Sequence, residues 1–225
     1  MPIEPPPSRW QLDLDPAAPG DDLVGIGADL EPGTLLMAYR TGLFPMGVGD
    51  DGEPPMGWWS PDPRGVLMPG NVRISRSMRR SSRHFDLRVD TAFSAVMEGC
   101  ADPARDGCWI TPAITAAYVR LYELGWAHSV EAWCDGELAG GLYGLALGGL
   151  FAGESMFHRV TGASKCALVG LAEMVFADGD PNRIIDVQWA TPHLASLGIT
   201  EIARADYLDR LGRALQLAAP PGFDR

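Results

Sequence analysis

The sequence predicts an α/β (α+β) protein, with a mixed, largely antiparallel sheet in a larger C-terminal domain and a small domain ahead of it. Three observations carry that reading. The runs Ser129–Cys134 and Leu138–Leu147 flank Asp135-Gly136, a strong type I′ hairpin signal, so two antiparallel strands meet there. Helical patterns with good start signals lie on both sides of the hairpin, opened by Thr111-Pro112 and by Ser164. A long stretch rich in glycine and proline, Pro45 to Pro63, separates an N-terminal segment from the rest of the chain.

In chain order, residues 1 to about 20 read as an irregular tail pinned by Trp10 and Leu12. Asp29 precedes the apolar helical pattern Leu35-Leu36-Met37-Tyr39-Arg40, which Gly42 terminates. The stretch from Pro45 to Pro63 reads as one long loop, and its adjacent Trp58 and Trp59 argue for a functional loop rather than a disordered one. A small N-terminal domain therefore covers 1–65. A strand at Gly65–Met68 opens the larger domain, 66–215. A helix runs from Thr111-Pro112 through Leu124 to a stop at Gly125. After the hairpin come a third strand (Gly149–Phe157), a buried helix (Lys165–Phe176) and a strand (Ile184–Trp189). A short helix (Pro192–Leu197), a last strand (Ile199–Ala203) and a helix (Asp206–Leu215) complete the body, and 216–225 is a tail.

At 225 residues there is room for one large domain or a domain with a small appendage. The formal charge of −11 excludes indiscriminate nucleic-acid binding, so any contact with a polyanion needs a local patch. One exists: Arg73, Arg76, Arg79, Arg80, Arg83 and Arg88 crowd a segment whose one acid is Asp86. The start lacks a basic region followed by an apolar one, and the longest uncharged run, Leu138 to Gly153, is glycine-rich and too short for a bilayer. A cytoplasmic protein without membrane contact is expected. Cys100, Cys108, Cys134 and Cys166 form no CxxC pair and have no histidine at zinc spacing, so reduced thiols and no metal site are expected.

Two apolar strands carry polar side chains with no local partner: Glu154 within Phe151–Phe157, and Asp186 with Gln188 within Ile185–Trp189. Burying such groups is costly unless they are satisfied, so they mark either a site or the capping of loop backbone and helix ends. Asp186 and Gln188 lie two apart, which on a regular strand puts them on one face. The order helix, hairpin, strand, helix, strand, helix resembles the core of the Gcn5-related N-acetyltransferase fold. The loop Arg159-Val-Thr-Gly162-Ala163-Ser164 matches that fold's pyrophosphate loop only in part, since a serine replaces the last small residue.

Longer words make a more specific resemblance. Gly27-Ala-Asp29-Leu, Leu36-Met-Ala-Tyr39-Arg40, Phe44-Pro45, Trp58-Trp59-Ser60-Pro61-Asp62-Pro63-Arg64, Ile74-Ser-Arg76-Ser-Met, Trp109-Ile-Thr111, Ala127-His128-Ser129-Val-Glu131, Gly153-Glu154-Ser155-Met156-Phe157 and Ala195-Ser196-Leu197-Gly198 resemble the bacterial leucyl/phenylalanyl-tRNA–protein transferases. The match covers roughly 23–210. Two departures stand out: Thr191-Pro192-His193 where the family has Asn-Asp-His, and Met46 where it has tryptophan.

The resemblance implies transfer of Leu, also Phe and to a lesser degree Met, from aminoacyl-tRNA to proteins that begin with Arg or Lys, marking them for N-end rule degradation. No cofactor and a monomer are expected. It points to Asp186 and Gln188 as the catalytic pair, with Gln188 holding the incoming amine and Asp186 orienting it or taking its proton. Glu154 is the candidate for the cationic acceptor. Leu142, Phe151, Met156 and Phe176 are candidates for the donor side-chain pocket. Tyr39, Trp109 and Tyr118 would frame the tRNA's terminal adenosine, and Arg76, Arg79, Arg80 and Arg83 would hold acceptor-stem phosphates. The rival reading is an acyl-CoA-dependent N-acetyltransferase; a noncatalytic RNA-binding module is a second.

Overall fold

The hairpin of β6 (Ala127–Cys134) and β7 (Glu137–Leu147) anchors, in a computed structural model of the chain, a seven-stranded sheet. The structure describes residues 1–12, 21–105, 107 and 109–223; positions 13–20 of the expected N-terminal tail and Cys108 lie outside the described residues. Asp135 (φ 51°) and Gly136 (φ 83°) both take the left-handed conformation that a type I′ turn demands. The other strands of this sheet are β4 (Arg64–Leu67), β5 (Asp86–Val89), β8 (Leu150–His158), β9 (Ile184–Gln188) and β10 (Thr200–Ile202). Their order is β10-β4-β9-β8-β7-β6-β5, and β8 with β9 is the parallel pair among antiparallel neighbours.

Side-chain alternation along β7 feeds two cores. Tyr143 and Leu145 pack with Phe93 and Ile114, from α3 (Phe93–Cys100) and α4 (Pro112–Glu123). Leu142 and Ala146 pack on the other face with Leu168 and Leu171, from α5 (Ala163–Val175). Thr111 caps α4 as expected, its side chain accepting from the Ile114 N–H at 3.3 Å. The start of α5 differs from expectation: Gly162, at φ 94°, is the N-cap rather than Ser164. The helix α3 has no capping side chain, and no start signal in the sequence announces it.

The long loop expected from Pro45 to Pro63 is instead part of a second sheet. Strands β1 (Leu23–Ile26), β2 (Phe44–Gly47) and β3 (Met56–Trp59) pair in the order β1-β3-β2. Trp58 explains why so glycine-rich a segment holds together. It is fully buried and donates from Nε1 to the Gly27 carbonyl at 2.8 Å. Burying an indole stabilises by roughly 4–6 kcal/mol on area alone. The helix α1 (Pro32–Arg40) starts with proline in its first turn, and Asp29 accepts from the Thr34 hydroxyl at 2.7 Å rather than acting as the N-cap. The arginine segment forms α2 (Arg76–Ser81), a 3₁₀ turn and β5. α6 (Pro192–Ala195) and α7 (Arg204–Ala214) close the chain. Among the described residues no helix is long and apolar enough to cross a membrane.

Candidate functional site

Strands β8 and β9 pair over three positions, Leu150 to Ala152 against Ile184 to Asp186. Past that point the ladder ends, and Glu154 on one side faces Gln188 on the other. The Gln188 amide nitrogen donates to Glu154 Oε1 at 3.4 Å. Behind them lies a cavity of about 100 Å³ lined by Leu142, Met156, Leu168, Leu171, Ile185, Val187 and Leu194, together with Glu154 and Gln188.

The chain enters this gap through a bulge. Gly65 of β4 pairs with Gln188 and the next residue, Val66, pairs with Asp186, so Val187 is an extra residue on β9. Gln188 itself has φ 60°, a conformation rare for a residue with a side chain. Gly65 permits the crossing: a Cβ there would come within 2.7 Å of the Ala190 nitrogen. Bulges of this kind re-aim a side chain. Here the bulge overturns the expectation that Asp186 and Gln188 project side by side. Gln188 reaches the cavity, whereas Asp186 is turned away from it and fully buried.

The Asp186 carboxylate is saturated by protein. Arg64 grips it with two bonds, Nε to Oδ1 at 2.9 Å and Nη2 to Oδ2 at 2.6 Å. The Tyr207 hydroxyl donates to Oδ2 at 2.9 Å, and the backbone N–H of Gln188 donates to Oδ1 at 2.9 Å. Arg64 is buried too, its guanidinium 4.4 Å from the Tyr207 ring centre, with Nη1 on the Gly42 carbonyl. Burial opposes its charge, but the adjacent Asp186 outweighs that and raises its pKa. Such a carboxylate has no lone pair left for a substrate amine. What it does is hold the Gln188 backbone in its bulged geometry.

Glu154 is the opposite case. The residue is half-buried, opening on the cavity, and no cation of the described residues comes within ion-pair distance of it. Its Oε2 accepts from the Tyr118 hydroxyl at 3.0 Å, and Tyr118 is in turn hydrogen-bonded to the Tyr39 hydroxyl. Withdrawal from water pushes the Glu154 carboxyl up to about 8, against the opposing pull of the two phenols. Burial and the neighbouring Glu154 likewise raise Tyr39 and Tyr118 well above their usual value, so both stay protonated and able to donate.

The remaining expected residues divide. Tyr39 and Tyr118 are buried, with their hydroxyls on Glu154's side, so neither ring face is open to an adenine; a buried phenol needs a partner, and Glu154 supplies it. Trp109 is half-exposed. Leu142 and Met156 line the cavity. Phe151 is fully buried against Phe223, and Phe176 packs in the same core cluster; neither is among the lining residues. The cavity is lined from the middles of β7, β8 and α5, whereas Phe151 lies near the start of β8 and Phe176 just past the end of α5. Arg76, Arg79, Arg80 and Arg83 are all exposed, and Ser81, at the end of α2, approaches the N-terminus of α5 at Gly162. Met46 is half-buried, its carbonyl taking the Trp59 indole N–H at 2.9 Å, and Thr191 caps α6 through the Leu194 N–H. Burial raises the thiol of Cys166, which removes it as a reactive thiolate.

Arg64 and Tyr207 belong to the site although the sequence pattern did not single them out. An arginine opening the otherwise apolar strand Arg64-Gly-Val-Leu was the available signal. Leu168 and Leu171, three apart on a buried helix, were the other.

Comparison with known proteins bears on most of the chain. The family model "Leucyl/phenylalanyl-tRNA protein transferase" matches residues 66–212, and "Leucyl/phenylalanyl-tRNA protein transferase N-terminal domain" matches residues 28–62. A leucyl/phenylalanyl-tRNA–protein transferase of Azoarcus sp. is 52% identical over 203 residues, 88% of this chain and 84% of the relative. That of Escherichia coli is 50% identical over 198 residues, covering 85% and 82%. Among solved structures, a GCN5-related N-acetyltransferase from Kribbella flavida is similar with a TM-score of 0.42 and 14% identity, over 76% of this chain and 61% of that one.

Proposed function

The chain belongs to the leucyl/phenylalanyl-tRNA protein transferase family and is an aminoacyltransferase, and on that premise we propose that it moves leucine, also phenylalanine and to a lesser degree methionine, from aminoacyl-tRNA to proteins that begin with Arg or Lys. The product carries a bulky apolar N-terminus, the mark for N-end rule degradation. In this reading 1–65 is a small N-terminal domain, 66–215 the catalytic domain and 216–225 a tail. The enzyme acts in the cytoplasm and as a monomer.

One observation supports the reading above the rest: an amide and a carboxyl without a counter-cation meet across a gap, at the rim of an apolar cavity. The cavity, at about 100 Å³, suits one side chain rather than a drug-sized ligand, which takes about 300–1,000 Å³. Leucine, phenylalanine and methionine are unbranched at Cβ and suit a cavity that has Met156 and Leu194 in its lining. The flexible Met156 adapts to either an aliphatic or an aromatic guest.

In the reaction the α-amine nitrogen attacks the ester carbonyl carbon, the bond to the ribose oxygen breaks, and that oxygen takes up a proton. The amine must first lose one. Its usual pKa of about 7.7–8.0 lies beside that of Glu154, about 8, so transfer between them is close to isoenergetic. The ionised fraction of Glu154 is therefore the proton acceptor, and the incoming cationic acceptor favours that charged form. Gln188, with Nε2 occupied by Glu154, offers Oε1 to the attacking amine. Asp186 acts through the backbone of Gln188 and does not touch substrate. Because an aminoacyl ester is already activated, positioning provides most of the acceleration, with effective molarities on the order of 10⁵ M or more. The exposed Arg76, Arg79, Arg80 and Arg83 lie on acceptor-stem phosphates, and Trp109 offers the terminal adenosine an aromatic face.

The test is incubation with charged leucyl-tRNA and peptides that begin with Arg, Lys or Asp, read by mass spectrometry. Leucine should be added to the first two and not the third, and ribonuclease should abolish it. Acylation from acetyl-CoA that survives ribonuclease would replace this reading with an acetyltransferase.

A further inference from the structure

One face of the small sheet is only partly covered by the described chain: Trp189 packs on Phe44 and Trp59, while Ile26 and Val48 stand open. Its registers set Ile26, Gly57 and Met46 in one row and Leu23, Trp59 and Phe44 in the next, all on the same side. The side chains converge over the glycine: a Cβ at Gly57 would lie 2.7 Å from Trp59 Nε1 and 2.9 Å from Leu23 and Val48. Ile26 is 61% exposed, Val48 40% and Trp189 36%, large apolar groups that a closed surface would cover. Trp189 ties this face to the reaction site. It comes directly after Gln188, and its ring packs edge-on against Phe44 at 5.1 Å and Trp59 at 6.1 Å.

The rim is acidic. No lysine or arginine lies between Arg40 and Arg64, whereas Asp50, Asp51, Glu53 and Asp62 do, all of them exposed. Asp22 adds a carboxylate beside the Trp189 indole, 3.4 Å from its Nε1. The arginine segment sits at the other extreme, leading into β5 at the far edge of the seven-stranded sheet, while β3 leads into β4 near the opposite edge. The enzyme has two macromolecular substrates, one a polyanion. An acid-rimmed apolar face repels the polyanion and suits the other.

We propose that the face of the β1-β3-β2 sheet, entered over Trp189, binds the acceptor protein along the extended segment just after its N-terminal residue, with preference for basic and apolar side chains. This rests on the proposed acceptor chemistry. Strands of four residues span about 13 Å and three of them about 10–15 Å across, so the face holds about four to five extended residues, near positions three to seven of the acceptor. The N-terminal Arg or Lys then stays at Glu154, and affinity for an unfolded acceptor no longer depends on that one residue.

The experiment uses an Arg-initiated tetrapeptide and two Arg-initiated dodecapeptides, one with basic and apolar residues at positions three to seven and one with acidic residues there. The full enzyme is compared with Ile26→Ser/Val48→Ser and Asp50→Lys/Glu53→Lys, all surface positions away from the reacting groups. The basic dodecapeptide should show a KM about tenfold below the tetrapeptide and the acidic one at equal kcat. Both variants should erase that advantage, leave tetrapeptide kinetics unchanged, cause no rise in the KM for leucyl-tRNA, and weaken calorimetric binding of the basic dodecapeptide about tenfold without any donor present. Equal KM values for all peptides, or an advantage that both variants retain, would overturn the proposal. A rise in KM for leucyl-tRNA in the variants would assign the face to RNA and overturn it as well. Absence of transfer to any Arg-initiated peptide, with calorimetric binding intact and lost in the variants, would sink the acceptor chemistry and leave the docking face standing.

Discussion

Asp186 and Glu154 both carry carboxyl groups beside Gln188, yet they stand in opposite environments. Asp186 has a guanidinium, a phenol and a backbone N–H, four donated bonds in all. Glu154 has a phenol and an amide and, among the described residues, no cation at ion-pair distance. A carboxylate whose acceptor positions are all taken by the protein serves as scaffold. A carboxyl whose charge is left uncompensated can change state near neutral pH, which is what a proton-transfer group needs. The difference teaches that carboxyls are sorted by their partners, not by their distance from the site.

The largest effect should come from breaking the saturated side. Arg64→Ala leaves a buried carboxylate without its cation and should destabilise the fold by about 3–5 kcal/mol, read as a fall in denaturant midpoint. Replacing both partners with Arg64→Met/Asp186→Leu removes the unpaired charge and should recover most of that stability. Transfer should stay low in the double variant, because the Gln188 N–H loses its acceptor and the bulge its tether. Full activity in the stable double variant would show that the ion pair has no part in positioning.

The unsaturated side should give a loss of rate and a gain of stability. Glu154→Gln keeps the size and should lower kcat on the order of 10²-fold, the usual contribution of a positioned acid or base. Its stability effect depends on pH in a defined direction. The native pKa, about 8, lies above the usual 4.5, so the folded state holds a proton that the unfolded state has lost between those values. Native stability therefore falls as pH rises from about 4.5 to about 8 and stays low above that. Glu154→Gln should be more stable than the parent at pH 9, by at least about 1 kcal/mol, and no more stable at pH 4. A stability difference that is the same at both pH values would contradict the raised pKa.

Legibility in the sequence divides along the same line. The hairpin, α4 and the buried helix α5 are local patterns, written in Asp135-Gly136, Thr111-Pro112 and the apolar run after Ser164. Glu154, Asp186 and Gln188 stood out because polar groups on apolar strands need a reason. The small sheet was hidden, since its strands are four residues long and its registers depend on partners nine or more residues away. The bulge at Val187 was equally hidden: nothing in Ile-Ile-Asp-Val-Gln announces it, and it arises from the close approach of Gly65 on another strand. That one residue separates two side chains that alternation alone would have put together. Tyr39 and Tyr118 read as surfaces for a base because aromatic residues near a site suggest stacking, whereas both are buried with the Tyr118 hydroxyl bonded to Glu154.

The finest comparison removes one hydroxyl from each side. Tyr207→Phe and Tyr118→Phe each delete a single phenolic donor to a carboxyl, in residues of the same size and burial. Asp186 keeps Arg64 and the backbone N–H, so Tyr207→Phe should cost about 1–2 kcal/mol of stability and change kcat by less than about threefold. The Tyr118 hydroxyl lowers the pKa of Glu154, and its removal pushes that value above about 8. The activity of Tyr118→Phe should then rise with pH later than that of the parent, and the gap in rate should close in more alkaline buffer. Quenched single-turnover transfer, measured from neutral to alkaline buffer, separates the two cases. An unshifted profile in Tyr118→Phe, or an equal shift in both variants, would mean that the two carboxyls act alike and that the contrast between saturated and open partners carries no chemistry.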